Sequence, residues 1–147
     1  MRIALGADHA GVELKDALAQ LLDELAIPYT DFGTNGPESV DYPDFAAAVA
    51  REVASGDYDR GLLVCGSGIG MAIAANKVTG IRAAVATEEE SARLSRSHND
   101  ANVLALGARL TPPALARQIV TTFLKTPFDG GRHQRRVDKL GALDPTH

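Results

Sequence analysis

The stretch Gly61-Leu62-Leu63-Val64-Cys65-Gly66-Ser67-Gly68-Ile69-Gly70-Met71 limits what this chain can fold into more than any other. A short apolar run leads into the only cysteine. Glycines then stand at positions 66, 68 and 70, and the small-residue segment Ala72-Ile73-Ala74-Ala75-Asn76-Lys77 follows. This order reads as a buried strand, a tight loop and the start of a helix. Such a junction aims backbone N–H groups at one point, where an anion can sit, and a thiol lies at its edge. Beside a helix N-terminus a thiol is favoured as thiolate, the form that removes protons. Two plainer readings stay open: a turn that only lets the helix pack on the sheet, and an inert buried thiol. The loop is not a dinucleotide fingerprint, because Met71 stands where its last glycine would be, and it is not a P-loop, because no Gly-Lys-Ser/Thr follows. A cysteine phosphatase would close its anion loop with arginine where Met71 stands.

The rest of the chain alternates between strand and helix signals. Arg2 to Ala7 reads as a first buried strand, followed by Asp8-His9-Ala10-Gly11. Leu14, Leu18, Leu21, Leu22 and Leu25 mark the apolar face of a helix that Pro28 ends. Tyr29 to Phe32 is a weak second strand, and Gly33 to Tyr42 is loop. A helix begins near Pro43, lines one face with Ala46, Val49, Ala50 and Val53, and closes at Gly56. After the cysteine strand, Arg82 to Ala86 is a fourth strand. Thr87-Glu88-Glu89-Glu90 predicts a capping box at the next helix start, which Arg93, Arg96 and His98 close, with Asn99 as the stop. Val103 to Gly107 is a fifth strand. A helix opened by Thr111-Pro112-Pro113 runs to Pro127, and Arg132 to Leu143 is a short basic helix or tail. The alternation predicts an α/β chain with a parallel sheet and helices on both faces. Ligands of such folds bind outside the carboxyl ends of the strands. Asp8-His9, Cys65 with its glycines, and Gly107-Ala108-Arg109 all follow predicted strands, so they converge on one rim.

At 147 residues the chain suits one domain, 1–147. Its net charge of −4 gives no general attraction to nucleic acid or anionic membrane. A single cysteine allows no internal disulfide and no cysteine metal cluster, which fits a reducing, cytoplasmic setting. The N-terminal apolar run is too short for a signal peptide, and no apolar run approaches the ~18 residues of a membrane span. Arg132, Arg135 and Arg136, next to Gly130-Gly131, suit either a phosphate or a solvated surface, and they lack the interleaved aromatics of a nucleic-acid site. His9 reads as a site residue or a hydrogen-bonded rim residue, and His98 could simply complement a helix C-terminus. Asp41 and Tyr42 fall in a polar loop that could line the pocket.

Six segments in order complete a familiar set: Gly6-Ala7-Asp8-His9-Ala10-Gly11, Asp41-Tyr42-Pro43, Cys65 to Gly70, Ala74-Ala75-Asn76-Lys77, Ser97-His98-Asn99-Asp100-Ala101-Asn102 and Gly131-Arg132-His133-Gln134-Arg135-Arg136. Together they resemble ribose-5-phosphate isomerase type B and its wider family, which holds galactose-6-phosphate isomerase subunits, over about residues 2–140. The resemblance implies a Rossmann-like three-layer α/β/α sandwich with a five-stranded parallel sheet. It implies a homodimer, sometimes a tetramer, with the segment around His98 and Asn99 serving the neighbouring subunit's pocket. No metal or organic cofactor is implied. The implied reaction interconverts ribose 5-phosphate and ribulose 5-phosphate in the pentose phosphate pathway.

By the same resemblance, Cys65 is the base that moves the proton between C2 and C1. Ser67 and the backbone of Gly66, Gly68, Ile69 and Gly70 cradle the enediolate. Asp8 and His98 open the furanose ring, and His9, Arg109, Arg132 and Arg136 clamp the phosphate. One branch of the family lacks this cysteine and uses a glutamate just after the loop; Met71 stands there, which puts this chain in the cysteine branch. Three other readings compete: an isomerase of allose 6-phosphate or galactose 6-phosphate, a non-catalytic sugar-phosphate sensor, and a redox-sensing thiol protein, the last lacking a resolving cysteine.

Overall fold

The computed structural model describes residues 1–145, so Thr146 and His147, the end of the expected 1–147 domain, lie outside the described residues. The strands are β1 (Ile3–Ala7), β2 (Tyr29–Asp31), β3 (Arg60–Cys65), β4 (Ala83–Val85) and β5 (Val103–Gly107). The helices are α1 (Val12–Glu24), α2 (Tyr42–Ala54), α3 (Ile69–Ala75), α4 (Glu89–Ser97), α5 (Pro113–Lys125) and α6 (Arg132–Ala142), and a 3-10 turn at His9–Gly11 joins β1 to α1. All strand pairs are parallel, in the order β2-β1-β3-β5-β4. The chain is the expected three-layer α/β/α sandwich. β1, β3 and β5 are buried on both faces, which is why they read as unbroken apolar runs rather than alternating ones.

Two cores flank the sheet. On one face Leu14, Leu18 and Leu22 of α1, with Ile119 and Phe123 of α5 and Ala92 of α4, cover Leu5, Leu62 and Leu104. On the other, Val49 and Val53 of α2 and Met71 and Ala75 of α3 cover Ala4, Leu63 and Ala105. The strand order reverses between β1 and β3. In open parallel sheets the crevice at such a reversal, at the strands' carboxyl ends, receives the ligand. Asp8 follows β1 and Cys65 ends β3, so the two stand on either side of it.

Three local expectations are corrected. Thr87 does not cap α4: Glu88 holds that position without a side-chain cap bond, and Glu90 is drawn instead to Arg93, with Oε1 accepting from Nη2 at 2.5 Å. α4 ends at Ser97 with His98 after it, and the left-handed residue that turns the chain is Asp100, at φ 48°, rather than Asn99. Asp100 earns that position electrostatically, because its Oδ1 accepts from buried Arg96 at 2.7 Å and its Oδ2 from Arg82 at 3.4 Å. Finally, Tyr42 is the first residue of α2 rather than a loop residue, with Pro43 behind it in the first turn.

At the amino end of β3 an arginine ties the sheet to α5. Arg60 Nη1 donates to the carbonyls of Phe123 at 2.6 Å and Leu124 at 3.1 Å, capping α5. Burial, then the neighbouring Arg96 cation, pulls its pKa down to about 10. The outer edge of β4 is closed by Asn76, whose amide both donates to the Ala83 carbonyl, 2.9 Å, and accepts the Ala83 N–H, 2.7 Å. No described helix is long and apolar enough to cross a membrane.

Candidate functional site

At the carboxyl rim Cys65 is 5% exposed, and its sulfur accepts the Gly68 N–H at 3.1 Å. A thiolate accepts such a bond more strongly than a neutral thiol does. The Gly68 N–H reaches the sulfur because Gly68 turns the chain back with φ 81° just before α3. A Cβ built there would lie 2.9 Å from the Leu106 carbonyl carbon. Gly68→Ala is therefore expected to cost about 1–3 kcal/mol in backbone strain alone. It should also lower kcat, measured well below the unfolding transition, far more than its stability loss accounts for.

Ser67 Oγ accepts the Ile69 N–H at 3.2 Å, which leaves its hydroxyl hydrogen to donate outward. The Tyr42 ring lies against Gly70, where a Cβ would meet it at 2.6 Å. The Arg109 guanidinium lies over Gly66 in the same way, 2.8 Å from a built Cβ. Asp8 is 7% exposed and caps the 3-10 turn, with Oδ1 accepting the Ala10 N–H at 3.0 Å. His9 Nδ1 accepts the Val40 N–H at 3.1 Å, so the neutral ring carries its proton on Nε2 and presents a donor there. Asp8, His9, Tyr42, Cys65, Gly66, Ser67, Gly68, Ile69, Gly70 and Arg109 are thus assembled by the ends of β1, β3 and β5 and the start of α2.

The other expected residues are elsewhere in the chain. His98 follows α4, and its ring stacks on His133 of α6 with centroids 4.2 Å apart and planes 12° from parallel. The Asp129 N–H donates to the Ser97 carbonyl at 3.0 Å, docking the start of α6 against the end of α4. Desolvation, then Coulombic repulsion from His98, Arg132 and Arg136, lowers the pKa of His133. His98 precedes Val103, the entry to β5, and holds the start of α6 beside it through the His133 stack, while Arg109 follows Gly107, the exit of β5. Val103 pairs with Gly61 and Gly107 with Cys65. At ~3.3 Å per residue those ends are ~13 Å apart. One chain therefore separates His98, Asn99, Arg132 and Arg136 from its own Cys65.

Among the described residues Arg109, Arg132 and Arg136 enter no ion pair, which leaves their guanidinium groups for an external anion. A cavity of about 600 Å³ between the β4 edge and α6 takes in Asn99, Asn76, Arg82 and Leu140 but not Cys65. Around the cysteine rim the surface is apolar: Ile69 and Ile73, one turn apart on α3, are 55% and 58% exposed, Leu110 60% and Tyr42 40%.

The donor atoms of His98, Asp129 and His133 lie within 4.8 Å of one another, which is ligand spacing. In-plane lone pairs of two nearly parallel rings do not converge on one ion, and Arg132 and Arg136 add positive charge, so the group does not fit a metal.

Two contributors gain a role only from the structure. His133 lies inside an arginine run and gains meaning only from its stack on His98. Lys15, fully buried, bonds Asp31 at 2.6 Å and Asn35 at 2.5 Å. Its signal was available: it sits three and seven residues before Leu18 and Leu22, on the apolar face of α1.

Residues 3–140 match the family described as Ribose/Galactose Isomerase. The chain is 48% identical over 143 residues to the ribose-5-phosphate isomerase B of Escherichia coli, covering 97% of this chain and 96% of that one. It superposes on the ribose-5-phosphate isomerase B structure of Clostridium thermocellum with TM-score 0.96 at 55% identity, covering 97% of both chains. The Mycoplasma genitalium ribose-5-phosphate isomerase B structure, solved with bound ribulose-5-phosphate, matches with TM-score 0.93 at 43% identity, covering 96% of this chain and 94% of that one.

Proposed function

The chain belongs to the ribose/galactose isomerase family, and from that premise we propose that it interconverts ribose 5-phosphate and ribulose 5-phosphate through an enediolate, as one isomerase domain in the cytoplasm. The observation that carries the reading is the Cys65 sulfur at the strand-order reversal, bonded to the Gly68 N–H at 3.1 Å beside the unpaired guanidinium of Arg109.

In this reading Cys65, as thiolate, takes the proton from C2 of the open-chain aldose. The electron pair forms the C1–C2 double bond while negative charge develops on oxygen. The Ser67 hydroxyl and the loop N–H groups of Gly66 and Gly70 face that charge, while the Gly68 N–H holds the sulfur and the Ile69 N–H holds Ser67 Oγ in place; a single oxyanion donor typically contributes ~3 kcal/mol. The same sulfur returns the proton at C1 and a second proton passes from O2 to O1, which gives the ketose. The furanose ring must open first, a step that needs a group to take the O1 proton and another to protonate the ring oxygen; Asp8 and His98 fill these roles. The phosphate does not react. His9 through Nε2–H, with Arg109, Arg132 and Arg136, holds it so that C1 and C2 stand against the sulfur.

Because one chain keeps these residues apart, the reading requires a second copy. His98, Asn99, Arg132 and Arg136 of one subunit complete the rim of its partner in a homodimer, which can pair into a tetramer. The exposed Ile69, Ile73, Leu110 and Tyr42 around Cys65 supply the apolar surface that such a partner would cover.

Turnover of ribose 5-phosphate, allose 6-phosphate and galactose 6-phosphate by the purified protein tests the assignment. Ribose 5-phosphate is expected to be preferred, with ribulose 5-phosphate as product. Turnover of a six-carbon phosphate alone would change the substrate and keep the chemistry. Binding of all three without turnover would reduce the protein to a sensor.

A further inference from the structure

Lys15 is a lysine with no exposed surface in the first turn of α1, and the isomerisation described above makes no use of it. Its ammonium reaches out of the apolar face to Asp31 Oδ2 at 2.6 Å and Asn35 Oδ1 at 2.5 Å. These partners bracket a turn. Asp31 uses its other oxygen, Oδ1, to accept the Gly33 N–H at 2.8 Å. The turn then pairs with the last residue of β1 in both directions: the Ala7 N–H donates to the Gly33 carbonyl, and the Thr34 N–H to the Ala7 carbonyl, each at 2.7 Å. Ala7 directly precedes Asp8 and His9. From Asn35 the chain runs on to Val40, whose N–H holds His9 Nδ1 at 3.1 Å, and then to Tyr42 on Gly70. A buried ammonium keeps its charge only with such partners, so it grips this turn more firmly than a neutral donor would.

We propose that Lys15 is a positioning residue for His9: through Asp31 and Asn35 it anchors the loop whose Val40 amide holds the His9 ring with its proton on Nε2, aimed at the substrate phosphate. The proposal rests on the reading of His9 as a phosphate ligand. Lys15 touches no substrate and acts on binding rather than on the carbon-bound proton.

The test uses the full-length Lys15→Met and Asn35→Ala proteins, with inorganic phosphate as a competitive probe and imidazole 15N NMR of His9. In Lys15→Met the KM for ribose 5-phosphate and the Ki for phosphate should rise together by about tenfold, with kcat nearly unchanged. The separation between the His9 Nδ1 and Nε2 resonances should shrink as the second tautomer becomes populated. Asn35→Ala, at an exposed residue, should move all three readouts the same way by less. A purely structural Lys15 would lower thermal stability and leave the tautomer and the KM of the folded fraction as in wild type, which overturns the proposal. If Lys15→Met does not fold, an unaltered tautomer and KM in Asn35→Ala overturn it instead. His9→Asn separates the two layers. An unchanged phosphate Ki in that variant would remove the phosphate role, and the proposal with it, whereas a raised Ki with an unmoved tautomer in Lys15→Met would overturn the anchoring alone.

Discussion

Cys65→Ala should abolish practical turnover, lowering kcat for ribose 5-phosphate by about 10³–10⁴-fold, the upper range for removing a general base, while inorganic phosphate still binds. The two effects separate because the sulfur and the anion groups lie on different strand ends: Cys65 closes β3, His9 follows β1 and Arg109 follows β5. The variant should also fold. The lost sulfur is one small buried atom on the α2/α3 side of the sheet, a deletion of ~1 kcal/mol, and the buried Gly68 N–H it leaves unpaired adds about 1–3 kcal/mol, together less than the stability of an ordinary domain. Cys65→Ser is the sharper control, since it restores an acceptor of similar shape to the Gly68 N–H while supplying a far weaker base at neutral pH. It should recover stability and not turnover. Near wild-type turnover in Cys65→Ala would mean that another group moves the proton, and the assignment of the base would fall.

The layout of the fold was legible because β1, β3 and β5 are buried on both faces, and full burial leaves a continuous apolar run bounded by polar loops. The rim was legible for a related reason. In a parallel sheet every strand exits at the same end, so residues that follow strands must meet, and Asp8, Cys65 and Arg109 do. Helix starts were less legible, because several chemical solutions cap a helix. Thr87 has the right side chain one residue too early, and Glu90 spends its carboxylate on Arg93. The turn at Asp100 was hidden by Arg96: a left-handed aspartate is favoured there only because buried Arg96 and Arg82 hold its carboxylate, and sequence spacing carries no sign of burial. Lys15 was missed because attention to charge treats a lysine as surface. Its place among Leu14, Leu18 and Leu22 marked it as the exception.

The separation of His98 from Cys65 within one chain leads to the second large effect. Cys65→Ala and His98→Asn proteins, each nearly inactive alone, should regain activity when the two chains are coexpressed and the mixed dimer is isolated through two different tags. In that dimer one site carries both substitutions. The other combines the intact Cys65 of one chain with the intact His98 of its partner, so the mixed dimer should turn over at about half the wild-type rate. The matching control pairs Cys65→Ala with Asp8→Asn. Asp8 and Cys65 belong to the same rim of the same chain, so each site of that mixed dimer has one defect and no activity should return. Recovery in the first pair and silence in the second would follow only from a site whose two halves come from different subunits. Without recovery in the first pair, His98 would have to reach its own Cys65 or stand outside the reaction. The ~13 Å length of β5 between the two ends of the sheet argues against the first of these, so the burden would shift to the role of His98 in opening the sugar ring.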